Sequence, residues 1–282
     1  MMRDRAYAKI NLGLDVVGVR DDGYHELNMI MVPVNFYDVL EMEVADEMSM
    51  EQSVGYIPID EKNTVIKAIN VLREEYGFKE NFKIKLTKHI PTQAGMAGGS
   101  SDGASAMRLV NKLLNLNIPR DKMIQLATRV GADVAFCLLN ECAQVKGIGD
   151  ILEPFDVNCD FEILLVKPRK GVSTKAAFDM VDNNPCFHPN IEGLREALEN
   201  DDYQGVCSLL GNSLDEAGCT LSPRIKKIKS DLLKLGFDGV LMTGSGSTVF
   251  GITRNKELLQ RANDIMRKQG YFVRMTKIFK NY

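Results

Sequence analysis

The chain has 282 residues, which is long for a single hydrophobic core and sufficient for two domains. Apolar residues make up 45% and charged residues 26%, as in an ordinary globular protein, and the net charge of −3 gives no reason to expect a nucleic-acid partner. No apolar stretch reaches membrane-spanning length and the first residues lack a signal-peptide segment, so we expect a cytoplasmic protein without a membrane partner.

Cysteine and histidine usage gives no sign of a metal centre or of disulfides. The six cysteines form no Cys-x-x-Cys pair and lie mostly among apolar neighbours, and the chain has only three histidines. We therefore expect the cysteines to be small core residues in a reducing compartment, and we predict no metal site built from clustered protein ligands.

The first half of the chain opens with strand patterns. In residues 6–16, apolar side chains alternate with a second face that consists of Tyr7, Lys9, Asn11, Gly13 and Asp15. Further strand-like runs occupy 26–35, 37–45 and 82–87. A helix is predicted over Thr64–Tyr76, with Asn63 as its N-cap and Gly77 at its end.

The most informative segment is the glycine- and serine-rich stretch at 91–105, which leads into a helix that continues to about residue 115. The first N–H groups of a helix have no intrahelical partner and carry partial positive charge, and glycines before them let an anion approach the backbone. The segment therefore predicts a phosphate-binding loop. It is neither a P-loop nor a Gly-x-Gly-x-x-Gly fingerprint. The alternative is an N-capped helix after a flexible turn.

Helices predominate in the second half of the chain. Pro119 opens a short helix that ends near Gly131, and a buried strand follows at 163–166. Further helices are predicted at 173–182, 191–199, 202–210, 223–235 and 255–268. Further strands are predicted at 239–243, 248–253 and 271–276. With a boundary near residue 155, the pattern indicates an α+β protein of two domains, 1–155 and 156–282, with a cleft between them.

Two charged side chains are candidates for chemistry. Lys9 and Asn11 lie two residues apart on the polar face of the first strand, so both point the same way, although a lysine there can also be merely solvated. Asp133 follows the helix-ending Gly131 among small and apolar residues. One interpretation is that it caps a turn or pairs with a cation. The other is that it is a base or orienting group for a hydroxyl nucleophile, with a nearby lysine favouring its ionised form.

Two turns can contact a ligand. The turn Asp22-Gly23-Tyr24-His25 carries a ring that can stack on a flat ligand and an imidazole that can hydrogen-bond its edge, although most turns of this composition are only turns. The segment Gly244-Ser245-Gly246-Ser247-Thr248 lies between two short strands. It is either a simple hairpin connection or a stretch of bare backbone that lets a ligand approach.

Five segments, in this order along the chain, resemble the motifs of the GHMP kinase superfamily, which includes galactokinase, homoserine kinase, mevalonate kinase and phosphomevalonate kinase. They are Ala8–Leu12, Asp22–His25, Ile90–Ser101, Val130–Val134 and Leu241–Phe250. The resemblance covers essentially the whole chain. The glycine–serine loop and the last motif are common to the superfamily, whereas the Lys-x-Asn start and the Asp-Gly-Tyr-His turn resemble the members that phosphorylate a cytidine-bearing methylerythritol.

The resemblance implies a fold and a reaction. The expected fold is α+β with two domains, the first like ribosomal protein S5 domain 2 and the second ferredoxin-like. The implied reaction uses ATP and Mg²⁺ and transfers the γ-phosphoryl group to the 2-hydroxyl of a methylerythritol that carries cytidine diphosphate, in the non-mevalonate route to isoprenoid precursors.

The resemblance also implies roles for single residues. Lys9 and Asp133 match the catalytic pair beside the substrate hydroxyl, and the residues that match the cytidine diphosphate site are Asn11, Tyr24 and His25. The match to the ATP loop comprises Pro91, Gly95, Met96, Ala97, Gly98, Gly99, Ser100 and Ser101. The cleft-lining match comprises Gly244, Ser245 and Gly246. Ser101 is the candidate side chain for Mg²⁺, whose other ligands would be water and phosphate oxygens.

The sequence differs from the superfamily pattern at several positions. None of these differences removes a charged or hydrogen-bonding group. Many relatives carry glycine where this chain has Gln93-Ala94 and Ala97, and prolines common in the family are replaced by Ala135 and Ser247. The sequence does not place a second ring to sandwich cytosine with Tyr24, and Phe187 is one suggestion for it.

Two alternatives stay open from the sequence. One is another GHMP kinase of homoserine or mevalonate type, which would keep the ATP loop and lose the cytidine-binding turn. The other is a non-catalytic nucleotide-binding relative, against which the presence of both Lys9 and Asp133 argues. We expect a monomer or a weak homodimer that acts on a small molecule.

Overall fold

The computed structural model describes residues 1–55 and 57–280. In the first half, the elements are β1 (Met2–Val19), β2 (His25–Ala45), β3 (Ser49–Gln52), α1 (Thr64–Tyr76), β4 (Asn81–Thr87), α2 (Gly98–Leu113), α3 (Arg120–Val130) and α4 (Ala132–Leu139). In the second half, they are β5 (Ala143–Gly147), β6 (Ile151–Pro154), β7 (Glu162–Lys167), α5 (Thr174–Asp182), α6 (Ile191–Glu199), α7 (Tyr203–Leu209), β8 (Gly211–Asn212), α8 (Asp215–Leu221), α9 (Pro223–Leu235), β9 (Gly239–Met242), β10 (Val249–Thr253), α10 (Lys256–Lys268) and β11 (Phe272–Thr276).

The chain forms two compact units, and neither is continuous in sequence. Unit 1 consists of Met1–Ala8, Phe36–Thr92 and Ala97–Asn140. Unit 2 consists of Lys9–Asn35, Gln93–Met96 and the chain from Glu141 onward. The strands β1 and β2 therefore contribute residues to both units. The domain boundary near residue 155 stays a prediction.

Unit 1 contains the helices α1–α4 and strands that include the second part of β2. There β2 pairs antiparallel with β4, and β3 pairs parallel with β4. Helix α1 has the bounds that its caps predict, because Asn63 Oδ1 accepts a hydrogen bond from the Val65 N–H and Gly77 ends the helix at φ +68°. Helix α1 packs on α2 so closely that a Cβ on Gly103 would lie 2.8 Å from Thr64 Cγ2.

Unit 2 is built around a four-stranded antiparallel sheet in the order β11-β7-β10-β9. All six residues of β7 are buried, as its run of apolar residues predicts. Helices α9 and α10 pack on this sheet. Elsewhere in the unit, β5 pairs antiparallel with β6 and with the first part of β2, and β8 pairs parallel with β1 at Gly13 and Leu14.

The structure corrects several element predictions. The two strands predicted at 26–35 and 37–45 are one strand, β2, because Phe36 is buried in continuous extended backbone. Six short elements have no counterpart in the sequence prediction: β3, α4, β5, β6, β8 and α8. Of these α4 matters most, since extended backbone at Gly131 separates it from α3 and places Asp133 in the first turn of a helix.

Three of the cysteines are core residues, as expected. Cys137, Cys142 and Cys159 are buried, whereas Cys186, Cys207 and Cys219 are only half-buried and depart from that expectation. Burial in apolar surroundings disfavours the thiolate, which raises the pKa of Cys142 to about 12 and that of Cys159 to about 11.

Candidate functional site

Lys9 and Asn11 lie side by side on β1, as the alternation of the strand predicts. Both are buried, and Lys9 Nζ donates a hydrogen bond of 2.8 Å to Asn11 Oδ1. The Asn11 backbone N–H donates to Thr243 Oγ1 at 2.9 Å, and its side-chain amide lies 3.3 Å from Met29 Sδ. A buried ammonium needs hydrogen-bond acceptors. Asn11 therefore fixes the direction of the Lys9 amine.

Part of the glycine loop meets the glycine turn that follows β9, and both belong to unit 2. Gly95 has φ +70°, and a Cβ there would lie 2.2 Å from the Thr243 carbonyl oxygen, so the contact requires glycine. Thr243 Oγ1 lies 3.3 Å from the Gly95 carbonyl oxygen, and the Lys9 N–H donates to the Met96 carbonyl at 3.2 Å. Three motifs that are far apart in sequence thus meet around β1.

The glycine turn at 243–248 connects the antiparallel strands β9 and β10, so the hairpin interpretation is correct. It is also bare backbone, because Gly244 and Gly246 both have positive φ. The turn is held from two sides: Asn212 donates to the Gly244 carbonyl at 2.9 Å, and the hydroxyls of Ser245 and Thr174 lie 2.8 Å apart. The turn is therefore a fixed wall of the site in unit 2.

Helix α2 begins without a side-chain cap. Its N-cap residue, Ala97, is in the left-handed region at φ +55°, and the Ser101 N–H makes the first helical bond, to the Ala97 carbonyl at 2.8 Å. The N–H groups of Gly98, Gly99 and Ser100 precede that bond, so the helix geometry gives them no intrahelical acceptor. The Ser101 hydroxyl donates to the Gly98 carbonyl at 3.0 Å and is buried. The start of α2 suits an anion bound by backbone.

Asp133 lies in the first turn of α4 and is half-buried. A carboxylate there is favoured by the helix dipole. It belongs to unit 1, whereas Lys9 belongs to unit 2. The shared catalytic role of the two side chains stays a prediction.

The turn before β2 presents the two predicted nucleoside-binding side chains differently. The Tyr24 ring is 62% exposed, which leaves it open to a ligand. His25 Nε2 lies 2.7 Å from Asp182 Oδ1, and the His25 ring packs on Phe178 with centroids 4.3 Å apart and planes tilted by 33°. Phe178 and Asp182 are one turn apart on α5, so both face His25.

The packing of Phe178 on His25 was not predicted from the sequence. The available signal was the spacing of four between Phe178 and Asp182 on a predicted helix, but nothing local indicates which residue that face meets. Phe187 is 65% exposed and lines a different feature, a cavity of about 680 Å³ in unit 2 whose walls include Asn212 and Ser213.

Comparison with known proteins identifies the family. Residues 63–141 match the family model for the GHMP kinases N terminal domain, and residues 194–271 match the model for the GHMP kinases C terminal domain. The chain is 39% identical to the 4-diphosphocytidyl-2-C-methyl-D-erythritol kinase of Enterococcus faecalis, over 97% of this chain and 99% of that one. It is 38% identical to the enzyme of that name from Lachnospira eligens, over 95% and 94%.

The chain belongs to the 4-diphosphocytidyl-2-C-methyl-D-erythritol kinases of the GHMP kinase family. A crystal structure of 4-(cytidine 5′-diphospho)-2C-methyl-D-erythritol kinase superposes with a TM-score of 0.84 at 30% identity, covering 99% of this chain and all of that one. Homoserine kinase from Cytophaga hutchinsonii superposes with a TM-score of 0.76 at 20% identity, which shows a shared fold. The predicted α+β GHMP kinase fold and the predicted kinase activity are confirmed.

Kinases of this family use ATP, and the N-terminal family model includes the glycine loop and Asp133. Within residues 1–55 and 57–280, no three His, Cys, Asp or Glu side chains are grouped to hold a metal ion. In the same part of this GHMP kinase, no helix combines the length and apolar character needed to cross a membrane.

This GHMP kinase also has a buried ion cluster in unit 1 that the sequence analysis did not predict. Lys88 follows β4, and its ammonium donates to Asp38 Oδ2 and to Asp102 Oδ2, the latter at 2.5 Å. At most 5% of each of these three side chains is exposed. A single lysine after a strand gives no local signal, because its partners come from β2 and α2.

The two carboxylates of the cluster share one cation. Burial, more than any other effect, raises the pKa of Asp102 well above its usual range, and the nearby Asp38 raises it further, while Lys88 opposes the change. The two aspartates together raise the pKa of Lys88 despite its burial. Asp102 therefore holds its proton to a higher pH than an ordinary aspartate.

Proposed function

We propose that this kinase transfers the γ-phosphoryl group of ATP to the 2-hydroxyl of 4-diphosphocytidyl-2-C-methyl-D-erythritol. The observation that carries the proposal is the meeting of Lys9 and Asn11 with the glycine loop and the glycine turn around β1. The names of the relatives supply the substrate, and the chemistry of the site is consistent with it.

The residues proposed to bind the triphosphate are those of the loop and the start of α2, from Pro91 to Ser101. Phosphoryl transfer passes through a loose, highly charged transition state, so positioning and charge stabilisation carry most of the rate. Backbone N–H groups at a helix N-terminus are already held in place, so they supply positioning and charge stabilisation without reorganising during the reaction. The positive φ at Gly95 and Ala97 supports this proposal, because a loop that turns there would present backbone, rather than side chains, to the phosphates.

Lys9 and Asp133 are proposed as the catalytic residues. Asp133 would orient the acceptor hydroxyl and accept its proton, and Lys9 would stabilise negative charge on the transferring group. Asn11 would hold the Lys9 ammonium in place, as it does in the structure. The bare turn formed by Gly244, Ser245 and Gly246 would let the acceptor phosphates approach its backbone.

The cytidine end is proposed to bind at Tyr24, His25 and Phe178. If the Nε2–H of a neutral His25 ring donates to Asp182, its Nδ1 is an acceptor, which matches the amino group of cytosine. Tyr24 is exposed and free to cover one face of the base. Phe178 already packs on the His25 ring, so we propose it, rather than Phe187, as the second aromatic residue of the site.

Mg²⁺ is proposed to enter with ATP. A magnesium ion keeps much of its coordination as water and phosphate oxygens, which fits a site without grouped acidic side chains. The Ser101 hydroxyl donates a hydrogen bond to the Gly98 carbonyl, and its oxygen still has lone pairs. Ser101 therefore remains the candidate protein ligand. Bound Mg²⁺ would neutralise phosphate charge.

The remaining partner expectations belong to the same proposal. The enzyme would act in the cytoplasm on a small molecule, as a monomer or weak homodimer, without nucleic acid or membrane as a partner. The net charge of −3 supports the absence of a nucleic-acid partner.

The test is phosphoryl transfer by the purified protein with three acceptors: 4-diphosphocytidyl-2-C-methyl-D-erythritol, homoserine and mevalonate. We expect transfer to the cytidine-bearing acceptor alone. Lys9→Met and Asp133→Asn should each lower kcat by roughly two orders of magnitude or more, because each removes a positioned charge or base. The exposed residues Lys85 and Asp121 provide the matched controls Lys85→Met and Asp121→Asn, which should leave kcat unchanged. Near-normal turnover in either site variant, or preference for a small acceptor, would refute the proposal.

A further inference from the structure

The buried ion cluster joins the two ends of the segment 89–97, which contains most of the glycine loop. Lys88 lies immediately before that segment, and Gly98 lies immediately after it. The Lys88 ammonium contacts the Gly98 carbonyl at 3.4 Å in addition to Asp38 and Asp102. One side chain thus connects the residue that precedes the loop with the first residue of α2.

Asp38 fixes the backbone where the loop begins. Its Oδ1 accepts hydrogen bonds from the N–H groups of His89 and Ile90, the latter at 2.8 Å, while its other oxygen accepts from Lys88. The end of the loop is equally close, since a Cβ on Gly98 would lie 2.9 Å from Ile90 Cγ2. The backbone is therefore held on both sides of the loop.

A buried cluster of ionisable groups is an inefficient source of stability for a fold. Burying an ammonium beside two carboxyl groups costs desolvation free energy, and apolar side chains of similar volume often stabilise a protein as well or better. Among the residues that the structure describes, Asp102 Oδ1 is also buried without a hydrogen-bond partner. A role in placing the backbone explains why these charges occupy this position.

We propose that Lys88 is a positioning residue for nucleotide binding, which together with Asp38 and Asp102 holds both ends of the loop so that the first N–H groups of α2 are preorganised for the triphosphate. This inference rests on the proposed function, because it takes the loop as the ATP site. A loop that is ordered before binding pays less conformational entropy when the ligand arrives. Losing Lys88 should therefore weaken ATP binding and leave acceptor binding unchanged.

The test compares Lys88→Met with the matched control Lys85→Met, whose lysine is exposed on β4. Binding of a non-hydrolysable ATP analogue is measured by calorimetry, and the KM values for ATP and for the acceptor are measured separately. We expect Lys88→Met to weaken analogue binding and to raise the KM for ATP by roughly tenfold, with the acceptor KM unchanged. Lys85→Met should match the wild-type protein in all three values.

A second variant separates positioning from folding. Lys88→Met alone leaves two buried carboxylates without their cation, which can unfold the protein. The double variant Lys88→Met with Asp102→Leu removes one of the two buried carboxyl groups as well, while Asp38 keeps its two backbone donors. We expect this variant to remain folded, by thermal melting, and still to bind the analogue roughly tenfold more weakly.

The outcomes distinguish this inference from the proposed function. If the wild-type protein phosphorylates its acceptor and the folded double variant binds the analogue as tightly as wild type, the positioning role is wrong and the proposed function stands. Equal increases in the ATP and acceptor KM values would also contradict it, because they indicate a general loss of structure. If the wild-type protein binds no ATP analogue, the inference falls together with the proposed role of the loop.

Discussion

At the residue scale, single contacts decide what the site can do. Lys9 lies on a strand where a lysine is ordinarily solvated, yet its ammonium is buried and bound to Asn11. The alternation of β1 predicts that these side chains share a face. It does not predict Thr243, which accepts the hydrogen bond from the Asn11 backbone from more than two hundred residues away. Local pattern places a side chain on a face, and only the fold supplies its partners.

Gly95 is the residue where a small change should have the largest effect. Gly95→Ala puts a Cβ at a left-handed φ and 2.2 Å from the Thr243 carbonyl oxygen. We expect a loss of at least roughly 1–3 kcal/mol in the free energy of unfolding and a marked fall in kcat/KM for ATP. Denaturant unfolding and steady-state kinetics measure both. Gly18→Ala is the matched control, since nothing lies within 4 Å of its Cβ position. Equal behaviour of the two variants would contradict the prediction.

Asp102 gives the stability a defined pH dependence. Its pKa in the folded protein is raised, so it favours the folded state fully below the ordinary aspartate pKa of about 3.8 and loses that contribution as the pH rises through the folded value. In that window, the wild-type protein should lose roughly 1 kcal/mol for each pH unit relative to Asp102→Asn. Urea unfolding from pH 4 to 8 measures the difference.

The control for the pH experiment is Asp121→Asn, because the Asp121 side chain is exposed. Lys88 should not contribute in the same range, because its pKa is raised from a value of 10.5 and its own contribution is lost only at higher pH. A constant difference between wild type and Asp102→Asn across the range would show that Asp102 titrates normally.

At the element scale, α5 carries the contacts to His25, one of the residues proposed to bind the cytidine end. Phe178 and Asp182 are separated by one helical turn, and both contact His25 at the start of β2. The helix itself is predictable, since Ser173 caps its first turn by accepting from the Ala176 N–H at 3.4 Å. The element that α5 contacts is not predictable. An apolar or aromatic face indicates that a helix is buried, but it does not indicate which element the helix packs against.

Replacing Phe178 tests the function of that face. Phe178→Ala should raise the KM for the cytidine-bearing acceptor by roughly tenfold, the usual scale for losing a base-stacking ring, and leave the KM for ATP unchanged. Phe187→Ala is the matched control, since Phe187 is 65% exposed and faces a separate cavity. A rise in acceptor KM with Phe187→Ala, and none with Phe178→Ala, would restore the assignment that the sequence suggested.

Element boundaries were predictable wherever the signal was local. The bounds of α1 follow from Asn63 and Gly77, whose side-chain and φ requirements are properties of the neighbouring backbone. The two-residue strand β8 has no such signal, because it exists only through its pairing with Gly13 and Leu14 of β1. The sequence did not predict α4, because Gly131 indicates the end of α3. In the structure, the extended backbone of Gly131 also leads directly into α4.

At the scale of the whole molecule, the glycine loop is divided between the two units. Gln93–Met96 belongs to unit 2, and the residues on either side belong to unit 1. Within unit 2 the segment is held by Thr243, and within unit 1 the flanking residues are held by Lys88. Each unit is thus assembled from segments that are separated along the chain.

The sequence by itself determined the family, the glycine-rich composition of the loop that is proposed to bind phosphate, the paired direction of Lys9 and Asn11, and the helices whose caps are local. These follow from residue order and from short-range backbone chemistry. The tertiary structure alone decided that Phe178 packs on His25, that Thr243 contacts both Asn11 and Gly95, and that Lys88 binds Asp38 and Asp102. The spacing of these residues along the chain follows neither helical nor strand periodicity. Their contacts therefore form only when the strands and helices have packed.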